Sequence, residues 1–235
     1  MTAADPPTLV LLPGFMTDRA LWSRMEPGLT ALAPCHFADL SGITGLADAA
    51  RDVLAAVPGP VVPIGFSMGG FVAREMAHLA PDRAKGLVLM NTSARPSRPE
   101  IQARNAALVD NTRKRGYRGL SPIAVKKALH PNLRDDAALV GEILDMAKRM
   151  GGDAFINQLS VARRDGRPDL PNIACPTLVI WSRQDELRSL RESEEMAEGI
   201  PGGRLEIIEN AGHMTPMETP AEVLRLLTAF LNGLG

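Results

Sequence analysis

The chain has 235 residues, of which 45% are apolar and 23% charged, with a formal net charge of −1. That length suits one large domain or a domain with a sizeable insertion, and the near-neutral balance argues against a general affinity for nucleic acid. No stretch approaches the roughly 18 uncharged apolar residues of a membrane span, and MTAADPPTLV lacks the basic and apolar regions of a signal peptide, so a cytoplasmic protein is the expectation. The two cysteines, Cys35 and Cys175, each open an apolar run and read as small core residues, neither a disulfide pair nor a metal site.

Taken in order, the first apolar run is TLVLLPG (8–14), followed by a helix-period segment at 20–33. CHFADL (35–40) leads to a helix at 45–57, VVPIGFS (61–67) to a helix at 69–80, and GLVLMNT (86–92) closes the first half. From about Ser93 to Pro171 no strand-like run occurs, and DDAALVGEILDMAKRMGGDAFINQLSVARR reads as helix. So long a stretch is not a plain loop in a compact domain, and the spacing predicts a helical insertion at 95–167 between core segments 1–94 and 168–235. TLVIWSRQD (177–185), a helix at 189–199, RLEIIENAG (204–212) and a helix at 220–234 opened by Pro220 complete the chain. Runs apolar throughout suit strands covered on both faces, so the alternation predicts an α/β architecture with a parallel sheet. The insertion would sit at the strands' C-terminal edge, where ligands bind in such sheets, and is placed to act as a lid.

Gly65-Phe66-Ser67-Met68-Gly69 stands where the third predicted strand becomes a helix. GxSxG alone is a weak signal, but between a buried strand and a helix it has the setting of a nucleophile elbow. A phosphate-binding turn is the competing reading, and neither GxGxxG nor GxxxxGK[ST] supports it. A serine hydroxyl needs a base and a group to orient that base. Of the four histidines, His36 lies in a strand, His78 on the helix after the elbow and His130 in the insertion, whereas His213 in NAGHMTPME follows the last strand at the same sheet edge as Ser67. Asp185 ends the strand before it, with Glu186 its nearest rival. The expected oxyanion donors are the backbone N–H groups of Met68, next after the serine, and Phe15 in the loop LLPGFMTD, with Met16 the alternative.

With these residues in place, the chain resembles the α/β-hydrolase superfamily, specifically its small lidded esterase and carbon–carbon hydrolase branch. The resemblance runs from Pro13-Gly14-Phe15 through the elbow and WSRQD to NAGHMTPMETP. It implies a cofactor-free serine mechanism through an acyl-enzyme, with Ser67, Asp185 and His213 in the family's chain order and a helical cap after the fourth strand. Pro13-Gly14 replaces the His-Gly pair of many relatives, and too few residues precede the first strand for their extra hairpin, so six mostly parallel strands are expected.

Ester cleavage is the expected reaction. Carbon–carbon hydrolysis of a diketone or dienoate is the alternative within enzymes, and a non-turnover small-molecule receptor the alternative outside them. An apolar pocket is expected from Met16, Phe66 and Met214 beside the catalytic positions and from Met146, Met150 and Phe155 on the insertion. Between Arg95 and Arg167 there are fifteen Lys or Arg against eight Asp or Glu, a segment charge of +7, which leaves −8 for the rest. A basic lid on an acidic base would draw anionic esters or an acidic carrier protein, the kind of partner that a pimeloyl-carrier-protein methyl esterase in this superfamily has.

Overall fold

The computed structural model describes residues 6–234. Its six strands are β1 (Thr8–Leu12), β2 (Cys35–Phe37), β3 (Val61–Phe66), β4 (Leu87–Met90), β5 (Thr177–Ser182) and β6 (Gly203–Ile208). They form one sheet in the order β2-β1-β3-β4-β5-β6, with every neighbouring pair parallel. β3, β4 and β5 are buried at every position and β1 at all but its first, as continuous apolar runs require. β6, at the edge, alternates exposed Arg204 and Glu206 with more covered neighbours, because the face that carries those two residues is less covered than the other.

Helices cover both faces. α2 (Leu46–Ala56), α3 (Met68–Leu79) and α7 (Leu190–Gly199) bury Leu54, Phe71, Met76 and Met196 on one side. α1 (Glu26–Leu32) and α9 (Pro220–Asn232) bury Leu29, Leu226 and Phe230 on the other, with Trp22 beside them. The segment expected as one helix at 20–33 is instead a 3₁₀ turn, Arg19–Trp22, capped by Asp18 onto the Ala20 N–H at 2.9 Å, followed by α1. Pro27 causes the break: it lacks the N–H a continuing helix would use and fits only a helix's first turn.

Between β4 and β5 the chain forms α4 (Pro99–Arg115), α5 (Pro122–Lys127) and α6 (Ala137–Ser160), with α4 and α5 both packed on α6. α6 bends at Gly151, whose φ of 80° interrupts the helix. This basic segment is tied to the acidic core by Arg95–Glu195, Arg134–Glu186, Arg149–Asp18 and Arg164–Glu75, at 2.5 to 3.4 Å. Part of the charge asymmetry therefore serves to seat the insertion, although each such exposed pair adds only about 0–1 kcal/mol. A short helix, α8 (Thr215–Glu218), precedes α9 and was hidden in the sequence by its four-residue length.

Candidate active site

The loops after β1 and β3 are neighbours in the sheet, while β2 follows β1 on its other side, so the chain reverses direction between them. Ligand crevices of α/β sheets form at such a reversal. Ser67 sits there with φ 50° and ψ −109°, held by its N–H to Met90 O at 2.9 Å and by the Thr92 hydroxyl to its carbonyl at 2.6 Å. The flanking glycines are required by space. A Cβ on Gly65 would lie 2.5 Å from Gly69 O and Gly70 Cα, and one on Gly69 would overlap the Leu12 carbonyl.

The elbow aims the Ser67 hydroxyl at His213, with Oγ 2.9 Å from Nε2, and Nδ1 of the same ring lies 2.8 Å from Asp185 Oδ2. All three side chains come from residues no more than 8% exposed, and the Phe66 ring lies 5.2 Å from the imidazole, centroid to centroid. The structure thus brings together the three residues singled out from three strand ends. Glu186, the rival carboxylate, is exposed and turned to Arg134.

Asp185 is surrounded by donors. Oδ1 accepts from the N–H groups of Leu187 and Arg188 at 2.7 and 3.0 Å, and Oδ2 accepts from Asn91 Nδ2 at 2.8 Å as well as facing His213. Burial works against the carboxylate, but His213 and the donors from Asn91 and Leu187 outweigh it and hold its pKa below the ordinary value. The unfolded chain, with Asp near ~3.9, takes up this proton first as pH falls, so the stabilisation is complete above that value and is lost on descending through the folded pKa. Asp185→Asn, which cannot titrate, should therefore lose less stability than the wild type below about pH 4. Urea unfolding at steps of pH measures the two slopes, and parallel slopes would show that Asp185 is not preferentially ionised in the fold.

Two supporting groups escaped the sequence reading. Asn91, fully buried at the end of β4 with φ 47°, donates to Asp185 and to Ser182 Oγ at 2.7 Å, and accepts from the Thr215 hydroxyl at 2.6 Å. Its signal was present: a polar residue directly after a buried strand at the active edge, the same placement that singled out Asp185. Glu218 on α8 accepts from the N–H groups of Gly212 and Met214, either side of His213, and from that of His130 in the insertion, at 2.7 to 3.0 Å. The His213 N–H in turn donates to Ala128 O at 2.7 Å. The histidine loop and the insertion are thereby one hydrogen-bonded unit. Burial pushes the Glu218 carboxyl up despite these donors.

Ser67 and His213 open onto a cavity of about 530 Å³. Its wall is mainly apolar and takes in Phe15, Phe66, Phe155 and Met214, with Arg104 at its charged margin. Three expected pocket residues lie elsewhere. Met16 is fully buried against Ala147, Ala154 and Phe155, and its N–H donates to Gln158 Oε1 at 2.8 Å, which also removes it as an oxyanion donor. Met146 packs into the core on the α1 and α9 side of the sheet, and Met150 faces a surface cleft beside Arg149 and Asp18. Neither flanking a catalytic position in sequence nor lying on a helix of the insertion fixes which way a side chain turns. The Phe15 N–H has no hydrogen-bond partner among the described residues, and that of Met68 opens α3, where no intrahelical acceptor exists. Among the described residues no cluster of side chains suits a metal ion, and no helix is long and apolar enough to cross a membrane.

The pimeloyl-[acyl-carrier protein] methyl ester esterase of Chromobacterium violaceum is 27% identical over 248 aligned residues, spanning 98% of this chain and 96% of its own. Among solved structures, a thermophilic esterase from Thermogutta terrifontis superposes with a TM-score of 0.87 at 27% identity, over 99% of this chain and 92% of that one. The enol-lactonase of Burkholderia xenovorans LB400, at 21% identity and a TM-score of 0.84 over 99% and 94% of the two chains, shares the fold. The description "Alpha/beta hydrolase family" matches residues 9–226. Since that match takes in every strand and the elbow, histidine and aspartate loops, the chain belongs to the alpha/beta hydrolase family.

Proposed function

We propose that this protein is a serine hydrolase that cleaves a small carboxylic ester through an acyl-enzyme. The observation that carries the reading is the unbroken relay from Ser67 Oγ through His213 to Asp185, opening onto a largely apolar cavity. Ser67 Oγ attacks the ester carbonyl while His213 Nε2 takes its proton. The carbonyl oxygen, now negative, rests against the Phe15 and Met68 N–H groups, which have no other acceptor among the described residues. The carbon–oxygen bond to the alcohol breaks, and His213 returns the proton to the departing alkoxide. Water, deprotonated by the same imidazole, then releases the acid and restores Ser67. Asp185 holds the ring with its proton on Nδ1 and offsets the positive charge that the imidazolium carries during each transfer.

Residues 95–167 act as a cap, whose Leu108, Ile143 and Phe155 line the cavity, and the exposed surplus on it, Arg98, Arg104, Arg113, Arg115, Arg118, Lys127 and Lys148, forms no ion pair among the described residues. That surplus supports an acidic partner, and the name of the Chromobacterium relative supplies one of matching charge, an acyl-carrier protein. Turnover of p-nitrophenyl esters from acetate to octanoate, together with labelling by a fluorophosphonate, tests the reading. A folded protein that neither turns over nor labels would sink it, and labelling without ester turnover would move the reaction to another bond.

Asn91 is a positioning residue in this scheme, since it reaches the substrate only through Asp185. Asn91→Ala removes the charge-assisted hydrogen bond to Asp185 together with those to Ser182 and Thr215, and kcat should fall roughly 10- to 100-fold with KM nearly unchanged. The split is what matters. A fall confined to stability, with kcat retained in the folded fraction, would make Asn91 merely structural.

A further inference from the structure

On the far side of Leu187 from the Ser67 cavity lies a second cleft, of about 410 Å³, and Leu187 lines both. Arg95, Arg98, Arg163, Arg167 and Arg188 converge on it against a single carboxylate, Glu192. Two of the five are already matched. Arg95 grips Glu195 in a two-pronged pair at 2.7 and 2.8 Å, and Arg167 holds Asp165 at 2.6 Å. Arg98 and Arg163 form no ion pair among the described residues. Arg188 comes no nearer to Glu192 than 4.0 Å, and that acid already accepts from the Ser189 N–H and hydroxyl at 2.9 Å. Arg188 Nε is buried with no hydrogen-bond partner among the described residues.

Arg163 is half-buried, with its guanidinium carbon 4.6 Å from the centre of the Phe71 ring. Burial, and then the like charge of Arg188, push its pKa down to about 10. Guanidinium groups gathered in a partly desolvated cleft with fewer acids than cations repel one another, and an anion seated among them offsets that repulsion and fills the empty donors. The rim is apolar: Ile101 and Leu187, 42% and 43% exposed, are two of the four large hydrophobic side chains most open to solvent among the described residues. A ligand with a charged head and an apolar shaft matches both features.

We infer that this cleft is a subsite for the oxyanion, carboxylate or phosphate, at the remote end of an extended ester substrate whose chain crosses Leu187 to reach Ser67. The inference rests on the ester reading above and adds what the substrate carries at its other end. Arg188 and Leu187 belong to the loop that holds Asp185 through its backbone, so the head of the substrate is bound by the same loop that orients the catalytic carboxylate.

The test compares monomethyl adipate with dimethyl adipate, which differ in one free carboxylate. In Arg163→Gln, kcat/KM for the half-ester relative to the diester should fall roughly 10- to 100-fold, mainly through KM. Inorganic phosphate should inhibit half-ester hydrolysis by the wild type competitively and leave the diester much less affected. An unchanged ratio in Arg163→Gln overturns the inference. So does an equal fall in Lys114→Gln, which would mean diffuse attraction by the cap, or a fall in Arg104→Gln alone, which would place recognition at the rim of the Ser67 cavity. Should Arg163→Gln fail to fold, phosphate inhibition of the two wild-type reactions decides by itself, and equal inhibition overturns the inference. If the folded wild type cleaves neither ester, the ester reading has failed. Calorimetric titration with phosphate then judges the cleft, because binding lost in Arg163→Gln keeps an anion site there and no binding removes it.

Discussion

Ser67→Ala is expected to lower kcat for p-nitrophenyl esters by roughly 10⁴- to 10⁶-fold and to abolish fluorophosphonate labelling, while the melting temperature changes little. The size follows from what the hydroxyl does. Its one side-chain hydrogen-bond partner among the described residues is His213, at 2.9 Å, so on the proposed mechanism removing it deletes the attacking atom. The strained backbone at φ 50° is set by Ser67's own main-chain hydrogen bonds to Met90 and Thr92, which alanine keeps. Residual turnover near the wild-type level in a folded variant would show that another nucleophile acts. Equal loss of stability and activity would show that the hydroxyl is a structural part of the elbow.

The second large effect lies in the elbow's frame. Gly69→Ala should destabilise the fold by about 3–5 kcal/mol or leave the protein insoluble. A methyl group there would overlap the backbone carbonyls of Leu12 and Pro13, and backbone in a central strand cannot step aside as a flexible side-chain tip can. Gly141→Ala on α6 is the matched control. A Cβ there meets nothing within 4 Å among the described residues, so the exchange should be neutral or stabilise by about 0.5–1 kcal/mol, the ordinary preference of a helix for alanine. Denaturant unfolding of the pair measures the difference. A tolerated Gly69→Ala would mean that α3 can slide away from β1, and that the elbow's geometry is not fixed by this contact.

The architecture was legible because its signals are local and repeated. Val61–Phe66 is apolar at every position since it is covered on both faces, and that pattern is written in consecutive residues. The elbow was legible for a related reason: the two close approaches that demand glycine fall two residues to either side of the serine, so a five-residue motif contains them. Asp185 and His213 could be read because a parallel sheet places every strand's C-terminal end at one edge, which turns a position in sequence into a position in space. The same rule would have found Asn91.

What the sequence by itself determined about this protein is therefore the succession of the six strands with α2, α3, α7 and α9, the elbow and the three residues at its edge. Each follows from a period, a turn or a strand end. Only the tertiary structure decided that Met16 faces the core and gives its N–H to Gln158, 142 residues away, that Glu218 fastens the histidine loop to the insertion, and that Arg163 and Arg188 meet in one cleft. Those contacts join side chains distant in sequence, and they depend on how each helix is rotated and where α6 bends. No local pattern of residues records either.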